Sequence, residues 1–227
     1  MRRTIALMAT TTVALLGAGA PTAHASGSLS AGMEINIGKH RCSLGFFGFN
    51  ANHDRLAVSA GHCADDVDQT VYSSNGTEIG TVVSHKPDSD SLDGIRPRGY
   101  TLILIYREFS IEPFFTGIAD AHTGDSVTKF GARSGKTTGR ITKTHYTNGN
   151  DPTNETLFAD VVTLPGDSGC PWYSSGPTLV GISASGHYDS GGGDDQGSQA
   201  QPIWSVIHLI RQESPKWGPD FKVWTES

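Results

Sequence analysis

The amino-acid sequence predicts an all-β fold, and two patterns favour it. Glycine is abundant, with 28 residues among 227, and only 18% of the residues are charged, which suits short strands joined by tight turns. Runs rich in β-branched and aromatic residues recur between turn residues, at positions 44–49, 56–60, 81–84, 100–106, 126–130, 140–145, 157–162 and 179–185. Such alternation of strands and turns favours a sandwich or a barrel over a parallel α/β sheet.

Two local signals refine this fold prediction. Asn75-Gly76 lies between two strand-like runs and predicts a hairpin with a type I′ turn, which requires φ > 0 at both central positions. After Pro202, apolar residues recur at helical spacing and predict one short C-terminal helix that docks on a barrel; they are Ile203, Val206, Ile207 and Ile210.

The first 25 residues have the pattern of a secretory signal. Arg2 and Arg3 precede an apolar run of small residues, and an A-x-A cleavage site ends at Ala25. We expect residues 1–25 to be removed and the mature chain to begin near Ser26. The apolar run is poorly suited to anchoring a membrane. The predicted product is therefore secreted, into the extracellular or cell-envelope space, with no membrane contact after cleavage.

Charge and ligand patterns exclude several function classes. The formal net charge is −6, which argues against nucleic acid as a partner because phosphate binding needs a basic face. The nine histidines are scattered, and neither H-E-x-x-H nor paired C-x-x-C spacing occurs. The sequence therefore predicts no metal site and no cofactor, and we expect a monomer.

Three cysteines occur in this chain. Cys42 and Cys63 flank a strand pair and can close a short disulfide loop, as exported proteins often do. Cys170 is left over. It is either a buried small apolar residue or an unpaired thiol.

Gly166-Asp167-Ser168-Gly169 is the sharpest local signal. A serine hydroxyl becomes a useful nucleophile only when a base removes its proton. Flanking glycines allow a tight, exposed turn in which the amides of Gly166 and Ser168 form an oxyanion hole, and each such donor contributes on the order of 3 kcal/mol. Alone, the tetrapeptide would suit an ordinary turn equally well.

His62 supplies a candidate base for Ser168. It follows the apolar run 56–60 and directly precedes Cys63. A lone histidine is usually a surface or core residue, but the strand, the small residues and the cysteine around this one favour a constrained role. The two residues together predict a relay in which His62 acts first as general base and then as general acid.

These motifs resemble a known family. A-G-H-C, then G-D-S-G followed by a proline, about 100 residues apart, are similar to the trypsin-like serine peptidases. Segment 131–139, GARSGKTTG, resembles R-S-G-x-T-T-G of the bacterial streptogrisin and α-lytic group. The resemblance covers nearly the whole of residues 26–227. It implies two six-stranded antiparallel chymotrypsin-like barrels, at about 33–115 and 120–227, and a peptide or protein substrate.

The resemblance also implies roles for further residues. Arg133 would form an ion pair with Asp167 and hold the oxyanion turn in place. Val162 occupies the position where a trypsin-type pocket has an aspartate, so an uncharged, small or apolar side chain is expected before the cleaved bond. The implied substrate-binding residues are Val162, Thr163, Ser183, Ala184 and Ser185.

The sequence departs from the family at the carboxylate that orients the histidine. Gly99 stands where that aspartate should open the strand, and in this family replacing the aspartate by its amide lowers kcat about 10⁴-fold. Three explanations stay open. Asp93, or otherwise Asp88 or Asp90, supplies the acid; a Ser–His dyad works slowly with a bound water; or catalysis has been lost and the protein binds peptides.

We therefore expect a secreted serine endopeptidase that forms an acyl-enzyme on Ser168. The alternative is a catalytically weak or inactive protease-fold protein that acts as a peptide-binding or protein-binding module. Gly99 is the reason for that alternative.

Overall fold

The structure, a computed structural model, describes residues 27–89, 98–147, 150–185 and 197–226. These ranges are mostly β, with one helix, α1 (Ile203–Glu213). The strands are β1 (Gly27–Ser30), β2 (Glu34–Ile37), β3 (His40–Ser43), β4 (Phe46–Phe49), β5 (Arg55–Ala60), β6 (Thr70–Ser73), β7 (Glu78–Lys86), β8 (Tyr100–Ile105), β9 (Phe109–Glu112), β10 (Gly117–Ile118), β11 (Ser126–Gly131), β12 (Gly135–His145), β13 (Thr156–Ala159), β14 (Pro171–Ser174), β15 (Thr178–Ser185), β16 (Ser198–Pro202) and β17 (Lys222–Val223).

The C-terminal half forms a closed barrel. Six strands follow one another in the order β15-β14-β11-β12-β13-β16, and β16 pairs back onto β15. All six contacts are antiparallel. Because every strand has two neighbours, this barrel leaves no open edge. The six-stranded barrel expected for this half is confirmed.

The N-terminal sheet is open, so the expectation of a second closed six-stranded barrel was wrong. Its eight strands run in the order β17-β4-β5-β8-β7-β6-β2-β3. The outer edge of β4 pairs with β17, at Gly48 and Phe49. That edge is therefore occupied by the C-terminal strand, and β3 remains at the opposite edge. A separate parallel pair joins β1 to β9.

The predicted hairpin around Asn75-Gly76 forms between β6 and β7, but its turn is not type I′. Gly76 has φ +81°, whereas Asn75 does not have a positive φ. The Asn75 side chain instead accepts hydrogen bonds from the Thr77 amide, at 3.1 Å, and the Ser73 hydroxyl, at 2.6 Å. A side chain that stabilises the turn in this way removes the need for a second left-handed residue.

One apolar cluster joins the two sheets to α1. It contains Phe46 and Leu102 from the open sheet and Ile182 from the barrel. The predicted apolar face of the helix packs into the same cluster and is buried, namely Ile203, Val206, Ile207 and Ile210. This shared core fixes the position of the barrel relative to β5 and β8. In the described ranges, no helix is long and apolar enough to span a membrane.

Candidate active site

His62 lies at the end of β5, in a short 3₁₀ turn over Gly61–Cys63. The predicted disulfide between Cys42 and Cys63 is confirmed, and it ties this turn to β3. The side chain of His62 is 38% exposed, so part of it is accessible from solvent. Neighbouring sulfur atoms offer no metal site here, because both belong to the disulfide and cannot act as thiolate ligands.

The carboxylate of Asp88 contacts the Nδ1 side of the His62 ring. Oδ2 of Asp88 is 2.7 Å from Nδ1 of His62, and the Asp88 side chain is only 9% exposed. Asp93, the first choice from the sequence, and Asp90 both lie outside the described residues. The structure therefore supports the second choice, Asp88, as the group that faces the histidine.

The backbone around Gly99 explains why the acid cannot stand at its usual position. A Cβ atom on Gly99 would lie 1.8 Å from the carbonyl oxygen of Lys86, a distance that no side chain tolerates. Gly99 instead donates its backbone N–H to Oδ1 of Asp88, at 2.8 Å. Gly61 lies equally close on the other side, since a Cβ there would lie 2.4 Å from the same oxygen. The missing side chain of Gly61 thus makes room for the Asp88 carboxylate, and the amide of Gly99 donates a hydrogen bond to it.

Arg98 connects Asp88 to the barrel. Its guanidinium lies 3.6 Å from Oδ2 of Asp88 and donates hydrogen bonds to Ser185 Oγ, at 3.0 Å, and to Gln199 Oε1, at 2.8 Å. Burial alone would raise the pKa of Asp88. The hydrogen bond and charge of His62, the Gly99 amide and the Arg98 charge outweigh that effect and hold the pKa below its usual value. Asp88 is therefore a carboxylate at neutral pH.

The G-D-S-G segment forms the turn that the sequence predicts. Gly166 has φ +105°, a left-handed conformation that favours glycine, and its carbonyl accepts a hydrogen bond from Ser43 Oγ at 2.9 Å. In the described ranges, the amides of Gly166 and Ser168 have no protein acceptor, whereas those of Asp167 and Gly169 donate to backbone carbonyls. Two unpaired donors thus flank the serine side chain.

Backbone contacts bring the serine turn to the histidine turn. The carbonyl oxygen of Ser168 accepts a hydrogen bond from the Ser43 amide at 2.8 Å and lies 3.9 Å from Sγ of Cys63, the neighbour of His62. Within the described part of the chain, no hydrogen bond joins the Ser168 hydroxyl to His62. Such bonds are often long without substrate and tighten when it binds.

Comparisons with known proteins identify one similar sequence and several solved structures with a similar fold. Serine protease 2 of Streptomyces fradiae is 29% identical over 166 residues, which cover 66% of this chain and 88% of that protein. Thermobifida fusca protease A superposes with a TM-score of 0.61 at 22% identity, over 87% of this chain and 100% of that one. Nocardiopsis protease gives a TM-score of 0.59 at 21% identity, with the same coverage. No protein-family model matches the chain.

The chain is thus similar in sequence and in fold to bacterial chymotrypsin-fold serine proteases. Its resemblance to the streptogrisin and α-lytic group is thereby confirmed. The superpositions show that the closed barrel and the open sheet together make a chymotrypsin-like fold.

Within this protease fold, the oxyanion turn is held differently from the expectation. Asp167 is fully buried and pairs with Lys129, whose Nζ lies 2.9 Å from Oδ2. Arg133 reaches Oδ1 only through its backbone N–H, at 2.9 Å. The expected Arg133–Asp167 ion pair is therefore corrected to Lys129–Asp167. Lys129 was missed because its position on β11 gives no sequence signal, and only the pairing of β11 with β14, next to the turn, brings it close.

Several N–H and O–H donors keep Asp167 ionised. Burial raises its pKa, but hydrogen bonds from the Ser134 hydroxyl and amide, the Leu164 amide and Lys129 outweigh that effect and lower it below the usual value. Gly131 packs so closely that a Cβ atom there would lie 2.4 Å from the carboxylate. Asp167 thus acts as a fixed anchor beneath the oxyanion turn.

Cys170 follows the serine turn. It is buried, as expected if it acts as a small apolar residue. It is a free thiol with no exposed surface, and burial raises its pKa to about 12. A thiol in that state is a poor nucleophile. Cys170 packs in the apolar core of the barrel.

The five expected substrate-binding residues lie in two places. Val162 is 51% exposed and is open to a ligand, whereas the side chain of Thr163 is buried. Ser183 and Ala184 are buried in β15, and Ser185 at its end accepts the Arg98 hydrogen bond. The carbonyl of Ser183 accepts from the Gly169 amide at 2.7 Å, so β15 is attached directly to the serine turn.

Proposed function

We propose that the chain is a secreted serine endopeptidase in which Ser168, His62 and Asp88 act in sequence. The observation that carries the proposal is the buried Asp88 carboxylate 2.7 Å from Nδ1 of His62. In this proposal, Asp88 is the acid that orients His62. The lack of an aspartate at position 99 was the reason to consider an inactive protein, and Asp88 removes that reason. It also places the proton of the neutral imidazole on Nδ1, which leaves Nε2 free to act as a base.

The chemistry follows from these positions. Nε2 of His62 accepts the Ser168 proton while Oγ attacks the peptide carbonyl. The carbonyl oxygen becomes an oxyanion that the Gly166 and Ser168 amides stabilise, and Asp88 stabilises the imidazolium that forms. His62 then gives its proton to the leaving amine, which produces the acyl-enzyme. Water activated by His62 hydrolyses this ester and regenerates Ser168.

The side chain that precedes the cleaved bond is proposed to be small or apolar. Val162 brings no charge to the expected pocket, and its exposed isopropyl group favours an uncharged partner. A peptide-library profile dominated by Arg or Lys at this position would contradict that part of the proposal.

Labelling with a fluorophosphonate probe tests the nucleophile. The chain 26–227 should be labelled, and Ser168→Ala or His62→Ala should abolish labelling while circular dichroism shows the fold unchanged. Ser175→Ala, in a turn outside the site, is the matched control and should be labelled normally. A folded wild-type chain that neither reacts with the probe nor cleaves peptides would overturn the proposal and leave the peptide-binding alternative.

A further inference from the structure

Arg133 has a guanidinium that the oxyanion turn does not use. The charge of Asp167 is neutralised by Lys129 at 2.9 Å, and Arg133 contributes only its backbone N–H to that carboxylate. In the described ranges, the Arg133 side chain makes no ion pair and no hydrogen bond. The residue itself is exposed. Lys129 therefore leaves the Arg133 cation available for another partner.

A second arginine, Arg41, lies beside the same glycine, Gly166. A Cβ atom built on Gly166 would lie 3.5 Å from Cβ of Arg133 and 3.8 Å from Cδ of Arg41. Both arginines line one cleft of about 690 Å³, together with Leu164, Pro165 and Gly166. The cleft therefore combines an apolar wall with two cations beside an oxyanion donor.

The charge of this cleft is positive. Arg41 shares its charge with Glu34, whose Oε1 lies 3.4 Å from its Nε. Asp65, in the segment between the His62 turn and β6, already contacts His40 at 2.9 Å and Lys39 at 3.5 Å. Arg41 thus has one carboxylate partner, whereas the cation of Arg133 has none among the described residues.

The cleft lies on the leaving-group side of the site. The Gly169 end of the serine turn is bonded to β15 through Ser183, whereas the Gly166 end contacts the arginines. A peptide whose acyl part follows β15 must cross Ser168 and extend past Gly166. The residues after the cleaved bond then enter the cleft between Arg41 and Arg133.

We infer that Arg41 and Arg133 form a carboxylate-binding subsite that selects substrates with Asp or Glu just after the cleaved bond. This inference deepens the proposed function and depends on it for the direction of the substrate. Guanidinium groups bind carboxylates through two parallel N–H donors, and Leu164 and Pro165 would pack against the methylene groups of the acidic side chain. The subsite therefore distinguishes glutamate from its neutral isostere, glutamine.

The test uses two internally quenched peptides that differ only by Glu or Gln at the two positions after the cleaved bond. The wild-type protein should cleave the Glu peptide with a kcat/KM about fivefold higher than that of the Gln peptide. This factor corresponds to the upper end of the free energy of a solvent-exposed ion pair. Arg133→Gln and Arg41→Gln should each reduce this ratio towards one, and Arg133→Glu should invert it. Lys136→Gln removes a charge from the neighbouring strand, outside the cleft, and should keep the wild-type ratio.

Binding to the Ser168→Ala protein separates this inference from the proposed function. Fluorescence anisotropy should show tighter binding of the Glu peptide, and the preference should vanish in Ser168→Ala/Arg133→Gln. If wild type cleaves nothing while this preference persists, the proposed function fails and the carboxylate subsite stands. If wild type cleaves both peptides at equal kcat/KM, the subsite is overturned and the endopeptidase stands.

Discussion

Asp88 lies next to His62 because the two ends of the loop between β7 and β8 are close together in space. Lys86, the last residue of β7, pairs with Tyr100, the first residue of β8. Asp88 lies just after Lys86, and Gly99 lies just before Tyr100. Asp88 and Gly99 are therefore neighbours in the structure, although 11 positions separate them in the sequence. The carboxylate of Asp88 therefore reaches His62 from beside position 99, where the backbone of Lys86 leaves no room for a side chain.

Asp88→Asn should lower kcat/KM by about 10⁴-fold, because an amide cannot hold the catalytic tautomer of the histidine. The imidazolium that forms during the reaction would also lose its counter-charge. Steady-state cleavage of a peptide ester or amide measures the effect.

Asp93→Asn is the control that separates the two candidate acids. It should keep kcat/KM within about threefold of wild type, as expected for a residue without a role in the reaction. The reverse pattern, a large loss in Asp93→Asn and none in Asp88→Asn, would show that Asp93 supplies the acid.

The turn around Ser168, the disulfide and the helix could be predicted because each has a local sequence signal. Glycines flank Ser168, Cys42 and Cys63 flank a strand pair, and apolar residues follow Pro202 at helical spacing. The acid could not be assigned in that way. Three aspartates of one loop were candidates, and only the register of β7 with β8 places Asp88 beside Gly99.

Two other features depend on contacts distant in sequence. Lys129 contacts Asp167, which is 38 positions away in the sequence. From the sequence alone, a lysine in a strand is expected on the solvent-facing side of the alternating pattern, so its burial could not be predicted. The open N-terminal sheet has a similar cause, because β17, at the far end of the chain, pairs with β4. Neither pairing can be inferred from strand propensity.

Arg98→Met should lower kcat more than it raises KM. Arg98 is 4% exposed and contacts Asp88 at 3.6 Å and Ser185 at 3.0 Å, so its loss removes a support for the acid rather than a contact with substrate. Misplacement of a catalytic group by about 1 Å costs on the order of 10²-fold. Arg98→Lys, which keeps the charge, should recover part of kcat.

The pH profile distinguishes positioning by Arg98 from a general loss of structure. The acidic limb of activity reports proton binding by the hydrogen-bonded pair of Asp88 and His62. Loss of the Arg98 cation favours proton binding by this pair, so activity of Arg98→Met should decline at a higher pH on the acidic side than activity of wild type. Among the described residues, His62 is the other titratable side chain that contacts Asp88, and it is the same in both proteins. Superimposable acidic limbs would refute positioning through Asp88.

Lys129→Met should destabilise the fold by about 3 kcal/mol or more, because it leaves the carboxylate of Asp167 buried without its cation. Arg133→Gln should change the free energy of unfolding by no more than about 0.5 kcal/mol, since it keeps the backbone N–H that contacts Asp167. Urea unfolding at pH 7 measures both. A larger loss in Arg133→Gln than in Lys129→Met would reinstate the arginine as the partner of Asp167.

Acid should destabilise wild type more than Asp88→Asn. The pKa of Asp88 is lower in the folded chain than its usual value, which is about 3.9 in an unfolded chain. The ionised carboxylate therefore contributes stability that is fully present above about pH 4 to 5 and is lost as the pH falls through the folded pKa. The amide of the variant cannot titrate. The difference between the unfolding free energies of wild type and Asp88→Asn should therefore be constant from about pH 7 to 5. Below about pH 4, wild type should lose stability relative to the variant. A gap that stays constant down to about pH 2.5 would show that the folded and unfolded chains bind the Asp88 proton equally, and that His62, Gly99 and Arg98 do not stabilise the carboxylate.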